Sequence, residues 1–261
     1  MRLHRIYAII LRHIYLFRHS INRFSDAFYW PMMDLLLWGL TITYVKSISQ
    51  SPNNVVLVVV SGILLWLIVW RGQYEITVNI LEELWSKNLI NLFVSPLKFS
   101  EWVISLVILG IIKASASVLF ATVVAFLLYK VGLFVYGWYL IPFFLLLFMT
   151  GWWVGFIVAG LILRYGTKVE QFAWSAIYII APFSAIYYPL SILPGWAKTI
   201  SLFIPTSYVF EGAREIVTTG SLDPNKLLIS FVLNLVCLLL SILFLIRSFS
   251  KVLKRGLIKT Y

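Results

Sequence analysis

Long apolar segments constrain this chain more than any other feature of its sequence. Six stand out, at residues 27–45, 55–74, 102–129, 138–163, 172–190 and 227–246. Each approaches or exceeds the roughly 20 residues that a helix needs to cross a bilayer. A backbone in lipid must satisfy its own hydrogen bonds, so such segments predict helices. We therefore expect an all-α membrane protein with six spans, forming one domain over residues 1–261.

The composition excludes an ordinary soluble domain. Of the 261 residues, 61% are hydrophobic and 12% are charged, and the mean hydropathy is +0.94. Soluble domains carry roughly 45–50% apolar and about 25% charged residues. Six spans use about 120 residues, which leaves over half of the chain for loops and surface helices. The single cysteine, Cys237, excludes a disulfide within the chain.

The distribution of lysine and arginine predicts the orientation. Counted near the span ends, about 15 cations fall on one side and about 5 on the other. Ten of the 15 lie before the first span or in the basic tail, residues 247–261. Because cytoplasmic loops carry the excess of cations, both termini are expected in the cytoplasm. The net charge of +11 is thereby assigned to orientation and to anionic lipid headgroups, and no nucleic-acid partner is expected.

The first 24 residues predict an amphipathic helix that lies on the membrane surface. Apolar residues recur at intervals of three and four, as one helical face requires: Leu3, Ile6, Ile10, Ile14, Phe17 and Ile21. A basic face lies opposite, which suits the headgroup layer. It holds Arg2, Arg5, Arg12, His13 and Arg23.

Two further segments outside the spans are too apolar for free loops. Residues 76–93 mix leucine and tryptophan with acids and predict a short helix across the cytoplasmic face. That helix should stop at Ser95, because the residue before Pro96 avoids the helical region. Residues 187–226 are apolar but interrupted by prolines, which predicts short helices that dip into the outer leaflet.

Two charged residues fall well inside predicted spans, away from their ends. Asp34 lies in the first span, a few residues after Pro31, which we place near the helix start. Lys113 lies near the middle of the third span, and Asp34 is its expected partner. An intramembrane charge is costly and points to function by default. Two interpretations stay open for Lys113: a structural pair within the bundle, or an electrostatic role in a substrate path.

The fourth span carries small residues and tryptophans together. Gly151, Gly155 and Gly160 predict a closely packed helix face. The neighbouring Trp152 is interpreted either as bundle core or as the lining of a cavity.

Several kinds of chemistry are missing from the sequence. No G-x-x-x-x-G-K-[ST] motif occurs, which excludes a P-loop nucleotide site. The three histidines all precede the first span, so the spans hold no Ser–His pair and no His-based metal motif. Few acids lie in the spans and the two halves show no repeat, which disfavours an ion-coupled transporter. We expect no resident cofactor or metal, no enzyme activity of the chain itself and an outside energy source.

The layout resembles the membrane subunits of ATP-binding-cassette (ABC) type-2 exporters. Those proteins have six spans, an in-plane N-terminal helix, a cytoplasmic coupling helix between spans 2 and 3, and short re-entrant helices between spans 5 and 6. The family signature maps onto Ser184, Leu193, Pro194, Pro205, Tyr208 and Arg214, and the spacing of the last three is its most specific part. Phe183 departs from the pattern, where a smaller residue is usual.

The resemblance implies an export function. Two permease copies, identical or related, would pair around a path for an amphipathic substrate: a lipid, glycolipid, drug or polysaccharide. Two separate ATPase subunits would bind ATP and Mg and drive the permease in a prokaryotic plasma membrane. The residues assigned to coupling are Glu82, Glu83, Trp85 and Lys87. Those assigned to the substrate path are Asp34, Lys113 and Trp152.

Two other functions remain open from the sequence. A membrane enzyme acting on lipid-linked substrates would use Lys113 and Arg214 to hold phosphate groups, although no cluster of acid, base or metal ligands accompanies them. A non-catalytic assembly factor would need neither the apolar cytoplasmic segment nor the apolar outer one.

Overall fold

The structure is a computed structural model, and it describes residues 2–48 and 54–255. Within these ranges the chain is helical and contains no strand, which confirms the all-α prediction. The α-helices are α1 Leu3–Arg18, α2 Ile21–Ile48, α3 Val55–Trp85, α4 Leu89–Val94, α5 Phe99–Tyr129, α6 Leu140–Tyr165, α7 Phe172–Ile180, α8 Gly195–Ser201, α9 Pro205–Thr219 and α10 Pro224–Arg255.

Among the described residues, four helical segments are long and apolar enough to cross a membrane. They are Val55–Trp85, Phe99–Tyr129, Leu133–Val169, which is α6 with its flanking 3-10 turns, and Pro224–Lys254. Each has at least 31 residues, or about 46 Å of helix, against a hydrocarbon core of about 30 Å. Four such helices make this a membrane-embedded protein.

The other two predicted spans differ from expectation. Helix α2 has 28 residues, but its aspartates, tryptophans and tyrosines keep it below the hydropathy of the other four. The predicted fifth span, 172–190, is wrong in its extent, because the apolar helix covers only Phe172–Phe183. A left-handed backbone at Ala185 and the nearby prolines stop it. The six-span arrangement therefore stays a prediction.

Helix α3 is the centre of the bundle, and small residues let its neighbours approach. A Cβ atom placed on Gly151 of α6 would lie 2.6 Å from the backbone oxygen of Val69 in α3. Gly155 faces α3 in the same way, and Gly160 faces α10. The predicted close packing at these glycines is thus confirmed, although Gly160 lies on a different face from Gly151 and Gly155.

Helix α3 is also longer than the sequence indicated. The predicted separate helix over 76–93 is wrong, because α3 continues without a break to Trp85. A left-handed turn at Lys87 then leads into the short α4, whose C-cap Ser95 is extended before Pro96, as predicted. The acids of the predicted cytoplasmic helix are tolerated in α3 because other helices supply their partners.

The N-terminal segment divides into two helices where one was predicted. Helix α1 ends at Arg18, and Ile21 already begins α2. The buried face of α1 holds Ile6, Ile9 and His13, whereas Leu3 of the predicted apolar face is 78% exposed. The face that packs against α5 is therefore rotated from the predicted one, and an apolar strip of α1 stays uncovered by the described residues.

Pro31 lies in the interior of α2, because the helix begins ten residues earlier, at Ile21. The predicted position of Pro31 near the helix start is therefore wrong. Proline lacks the N–H that would donate to the carbonyl of Ala27, four residues before it. The hydroxyl of Ser117 in α5 donates to that carbonyl instead, at 2.8 Å. A side chain from a neighbouring helix thus replaces the lost backbone hydrogen bond.

The C-terminal part of the chain is helical where a tail was expected. Helix α10 continues through the first part of the predicted basic tail, as far as Arg255. The remaining tail residues, 256–261, lie outside the described residues. Inside the bundle, Asn234 joins α10 to α6: its oxygen accepts from Thr150 at 2.8 Å and from Trp153 at 3.2 Å.

Candidate functional site

A cavity of about 450 Å³ opens between α2, α3, α5, α7 and the segment after α7. Aromatic side chains and one carboxylate dominate its lining: Trp30, Asp34, Trp38, Trp66, Trp70, Tyr178 and Tyr187. Aliphatic residues such as Leu64 and Leu67 complete the wall. Its volume falls in the range of about 300–1,000 Å³ that is usual for small-molecule sites.

Helical spacing explains how so many rings meet there. Trp30, Asp34 and Trp38 are four residues apart and share one face of α2, and Trp66 and Trp70 do the same on α3. Trp38 also stacks on Tyr187, with ring centroids 5.2 Å apart and planes at 25°. These aromatic residues were not predicted to line a site, although their intervals of four in both helices are visible in the sequence.

The three residues predicted for the substrate path lie in three different places. Asp34 faces the cavity with an exposed side chain. Lys113 does not line it; its ammonium lies 2.7 Å from Glu75. Trp152 stacks on Phe148 within α6, at a centroid distance of 5.7 Å. The predicted Asp34–Lys113 pair is therefore wrong, because Glu75 is the acid that α3 presents to α5.

A buried charged cluster lies on α3 directly after Trp70, the last residue of α3 that lines the cavity. Glu75 contacts Lys113 and also Arg71, whose guanidinium is 3.7 Å away. Arg71 in turn lies over the Trp70 ring of the cavity wall, 4.7 Å from its centroid. Beside them, Tyr74 donates to Asp26 of α2 at 2.7 Å. The cluster joins α2, α3 and α5 immediately beside the aromatic cavity.

The predicted coupling acids hold the N-terminal segment. Glu82 pairs with Arg23 at 2.7 Å, and Glu83 accepts two hydrogen bonds from Arg12, at 2.7 and 3.3 Å. Glu83 is 2% exposed and also accepts from Asn88. Arginines that the sequence assigned to lipid headgroups are thus paired with acids of the protein.

The other two predicted coupling residues are accessible. Trp85 is 49% exposed, and its indole N–H donates to Glu170 at 3.2 Å. Lys87 is exposed in the turn after α3. Because Glu170 follows α6, this contact brings the ends of α3 and α6 together on one surface.

His13 is buried in this end of the bundle. Its ring lies 4.0 Å from Glu83 and makes no hydrogen bond with the described residues. Burial, together with the cations Lys113, Arg12 and Arg23, lowers the pKa of His13 to about 3. The imidazole is therefore neutral at physiological pH.

Further contacts place the basic segments at the same end. Arg5 pairs with Glu101 at the start of α5, and Phe99 stacks on Phe249 of α10 at 4.0 Å. Arg164, at the end of α6, donates to a hydroxyl of α10. The N-terminal segment and the ends of α3, α6 and α10 thus meet at one end of the molecule, where most of the cations are found.

The six residues on which the family resemblance rests lie in the segment at the opposite end. Arg214 donates to Glu211 at 2.7 Å and to the carbonyl of Ala185 at 2.9 Å, which closes the segment after α7 onto α9. Ser184 lies 2.7 Å from the hydroxyl of Thr206.

The other four of these residues lie at or near the ends of helices. Pro205 begins α9, and its carbonyl accepts from Ser230 of α10. Tyr208 donates to Leu202. Leu193 and Pro194 form the turn that precedes α8. The predicted short helices over 187–226 are confirmed as α8 and α9.

No protein-family model matches this chain, and no curated protein matches it either. Within the described residues, no group of three or more His, Cys, Asp or Glu is placed to hold a metal ion. The fold and the cavity thus define the class: an α-helical membrane-embedded protein with an aromatic cavity beside a buried charged cluster.

Proposed function

We propose that this chain is the membrane subunit of an ABC type-2 exporter and is driven by separate ATPase subunits. Its resemblance to that family in layout and in the spacing of Pro205, Tyr208 and Arg214 supports this function. In this proposal α2 and residues 172–190, of which Phe172–Phe183 form a helix, complete six spans. Both termini are cytoplasmic, and a second copy of the permease pairs with the first.

The continuity of α3 is the observation that carries the proposal. Trp66 and Trp70 line the cavity, and Trp85 stands at the accessible end of the same unbroken helix. The distance from Trp70 to Trp85 is about 22 Å along the axis. A tilt or shift imposed at Trp85 therefore reaches the cavity wall directly, as a rigid-body transition requires.

The surface around Trp85 is the proposed ATPase contact. It combines the turn after α3 with the segment after α6, because Trp85 donates to Glu170. Glu82 and Glu83 have a revised role in this proposal. They position the N-terminal segment against α3 through Arg23 and Arg12, so α1 moves together with the coupling end.

Co-purification tests the proposal. The tagged full-length chain is extracted from its native membrane in mild detergent, ABC-type ATPase subunits are quantified by mass spectrometry, and Mg-ATP hydrolysis is measured. We expect an ABC ATPase with the wild type and clearly less of it with Trp85→Ala. The matched control, Trp196→Ala, removes a tryptophan that is 66% exposed in α8, at the opposite end, and should leave the yield unchanged.

Two results would contradict the exporter. One is ATP hydrolysis by the purified chain without any partner subunit, since the sequence has no P-loop. The other is a wild-type preparation that contains no ABC ATPase although the chain remains folded and monodisperse.

A further inference from the structure

We propose that the aromatic cavity binds organic cations with an apolar body, with Asp34 as the counter-charge. The inference names a substrate class for the cavity, and it rests on the proposed function only for the claim that such cations are exported. Three observations support it. Asp34 has no ion-pair partner among the described residues, aromatic rings line the cavity, and the nearby cations pair with another acid.

Asp34 lacks a cationic partner in the part of the chain that the structure describes. No lysine or arginine lines the cavity, and Asp34 forms no ion pair there within 4.0 Å. The neighbouring cations serve other acids: Lys113 and Arg71 contact Glu75. Asp34 lies about halfway along a 28-residue helix, and a bound cation would supply the positive charge that the described residues do not.

The rings around Asp34 suit a cationic group better than an anionic one. The faces of indole and phenol rings attract cations, and tryptophan does so most strongly. Four tryptophans and two tyrosines surround the one carboxylate. Asp34 and the ring faces would repel an anion, and no lysine or arginine of the lining offers it a positive charge.

The rest of the lining accounts for the apolar body. Leu35, Ile63, Leu64 and Leu67 present aliphatic surface to the cavity. Aromatic walls can also stack on sugars, but a glycan carries a hydroxyl on most ring carbons and needs many polar partners. Apart from Asp34, the side chains of this lining offer only the two phenol hydroxyls and the indole N–H groups. A cation with aromatic or aliphatic substituents matches this surface more closely.

The experiment uses two ions of similar size and opposite charge, tetraphenylphosphonium and tetraphenylborate. Binding of each to the purified full-length chain in lipid nanodiscs is measured by equilibrium dialysis, and uptake by protein-free nanodiscs is subtracted. We expect saturable binding of tetraphenylphosphonium only. Asp34→Asn should weaken it about tenfold or more, and Trp38→Leu by about threefold or more. Asp34→Glu should restore most of the affinity, and Asp223→Asn, outside the cavity, should match the wild type.

Three outcomes would overturn the cation site. They are wild-type affinity in a folded Asp34→Asn variant, equal saturable binding of both ions to the wild type, and displacement of tetraphenylphosphonium by millimolar maltoheptaose. The comparison of the two ions needs no substitution, so it remains decisive where a variant does not fold.

The test also separates this site from the exporter proposal. Cation binding that depends on Asp34, in a chain with which no ABC ATPase purifies, would support the site and refute the exporter. Co-purification of the ATPase without any preference for the cation would support the exporter and refute the cation site.

Discussion

The hydrogen bond from Ser117 to Ala27 should be worth more than an ordinary one, because Pro31 makes it the replacement for a missing backbone donor. Ser117→Ala leaves the buried Ala27 carbonyl without that donor. The expected loss is about 1–2 kcal/mol, from the cost of an unsatisfied buried acceptor. In a Pro31→Ala background, residue 31 regains its N–H, and the same substitution should cost about 0.5 kcal/mol or less.

The quantity to measure is the coupling energy of this double-mutant cycle. The free energy of unfolding of the wild type, both single variants and the double variant is determined in mixed detergent–SDS micelles by tryptophan fluorescence. We expect a coupling of about 1 kcal/mol, whatever Pro31→Ala does by itself. Ser105→Ala is the control: this buried hydroxyl of α5 donates to Trp102 in its own helix, so its loss should be small in both backgrounds. Equal costs of Ser117→Ala in the two backgrounds would refute the reasoning.

Three further predictions follow from the packing and the charges. Gly151→Ala should lower the unfolding free energy by about 1–3 kcal/mol, because its Cβ would meet backbone at 2.6 Å, whereas Gly195→Ala, with nothing within 4 Å, should change it by less than about 0.5 kcal/mol. Glu75→Gln should lower the unfolding free energy by about 3–5 kcal/mol, because it leaves Lys113 and Arg71 without their acid. Lys113→Met should cost less, because Glu75 keeps Arg71 as its partner. Adding Lys113→Met to Glu75→Gln should recover part of the lost stability. Stability should fall by about 2 kcal/mol between pH 7 and pH 5 through His13, and His13→Leu should remove that fall.

The sign of the pH effect follows from the two protonation states. The unfolded histidine binds a proton below its ordinary pKa of 6.5, whereas folded His13 stays neutral down to about pH 3. Protons therefore favour the unfolded state throughout this window, and stability decreases as the pH falls. His19→Leu, at an exposed position of the same segment, should keep the wild-type slope. An unchanged slope in His13→Leu would show that another group titrates.

For the other two predictions, the contradicting results are equally specific. Equal stabilities of Gly151→Ala and Gly195→Ala would mean that α3 and α6 can separate without cost. A larger loss for Lys113→Met than for Glu75→Gln would mean that Arg71 does not share Glu75 with Lys113.

Apolar length was enough to predict α3, α5, α6 and α10, because a long hydrophobic run has few alternatives to a spanning helix. The close packing of α6 at its glycines was also readable, since small residues in an apolar helix serve close packing. These features depend on local pattern, and local pattern is what a sequence displays.

The wrong predictions concern residues whose conformation or pairing depends on partners that are far away in the sequence. Helix α3 continues through Glu75, Glu82 and Glu83 because Lys113, Arg23 and Arg12 neutralise them. No local signal shows those pairings. The partner of Lys113 was misassigned for the same reason: Glu75 seemed to lie beyond the end of a span.

The cavity was only partly predictable. Asp34 was found because a charge in an apolar segment is conspicuous, whereas tryptophans in apolar segments look like ordinary core. The rings belong to elements from separate parts of the chain, and only the folded arrangement shows that they surround one space.

The pairing of N-terminal arginines with acids of α3 has a consequence for biosynthesis. A chain is made from its N-terminus, so Arg12 and Arg23 have been synthesised before Glu82 and Glu83, with which they pair in the folded protein. Glu75 enters one helical turn after Arg71, which lies 3.7 Å from it in the finished helix. Most cations that pair with the acids of α3 are therefore synthesised before those acids. Removal of α1 should impair membrane insertion before it impairs any later step.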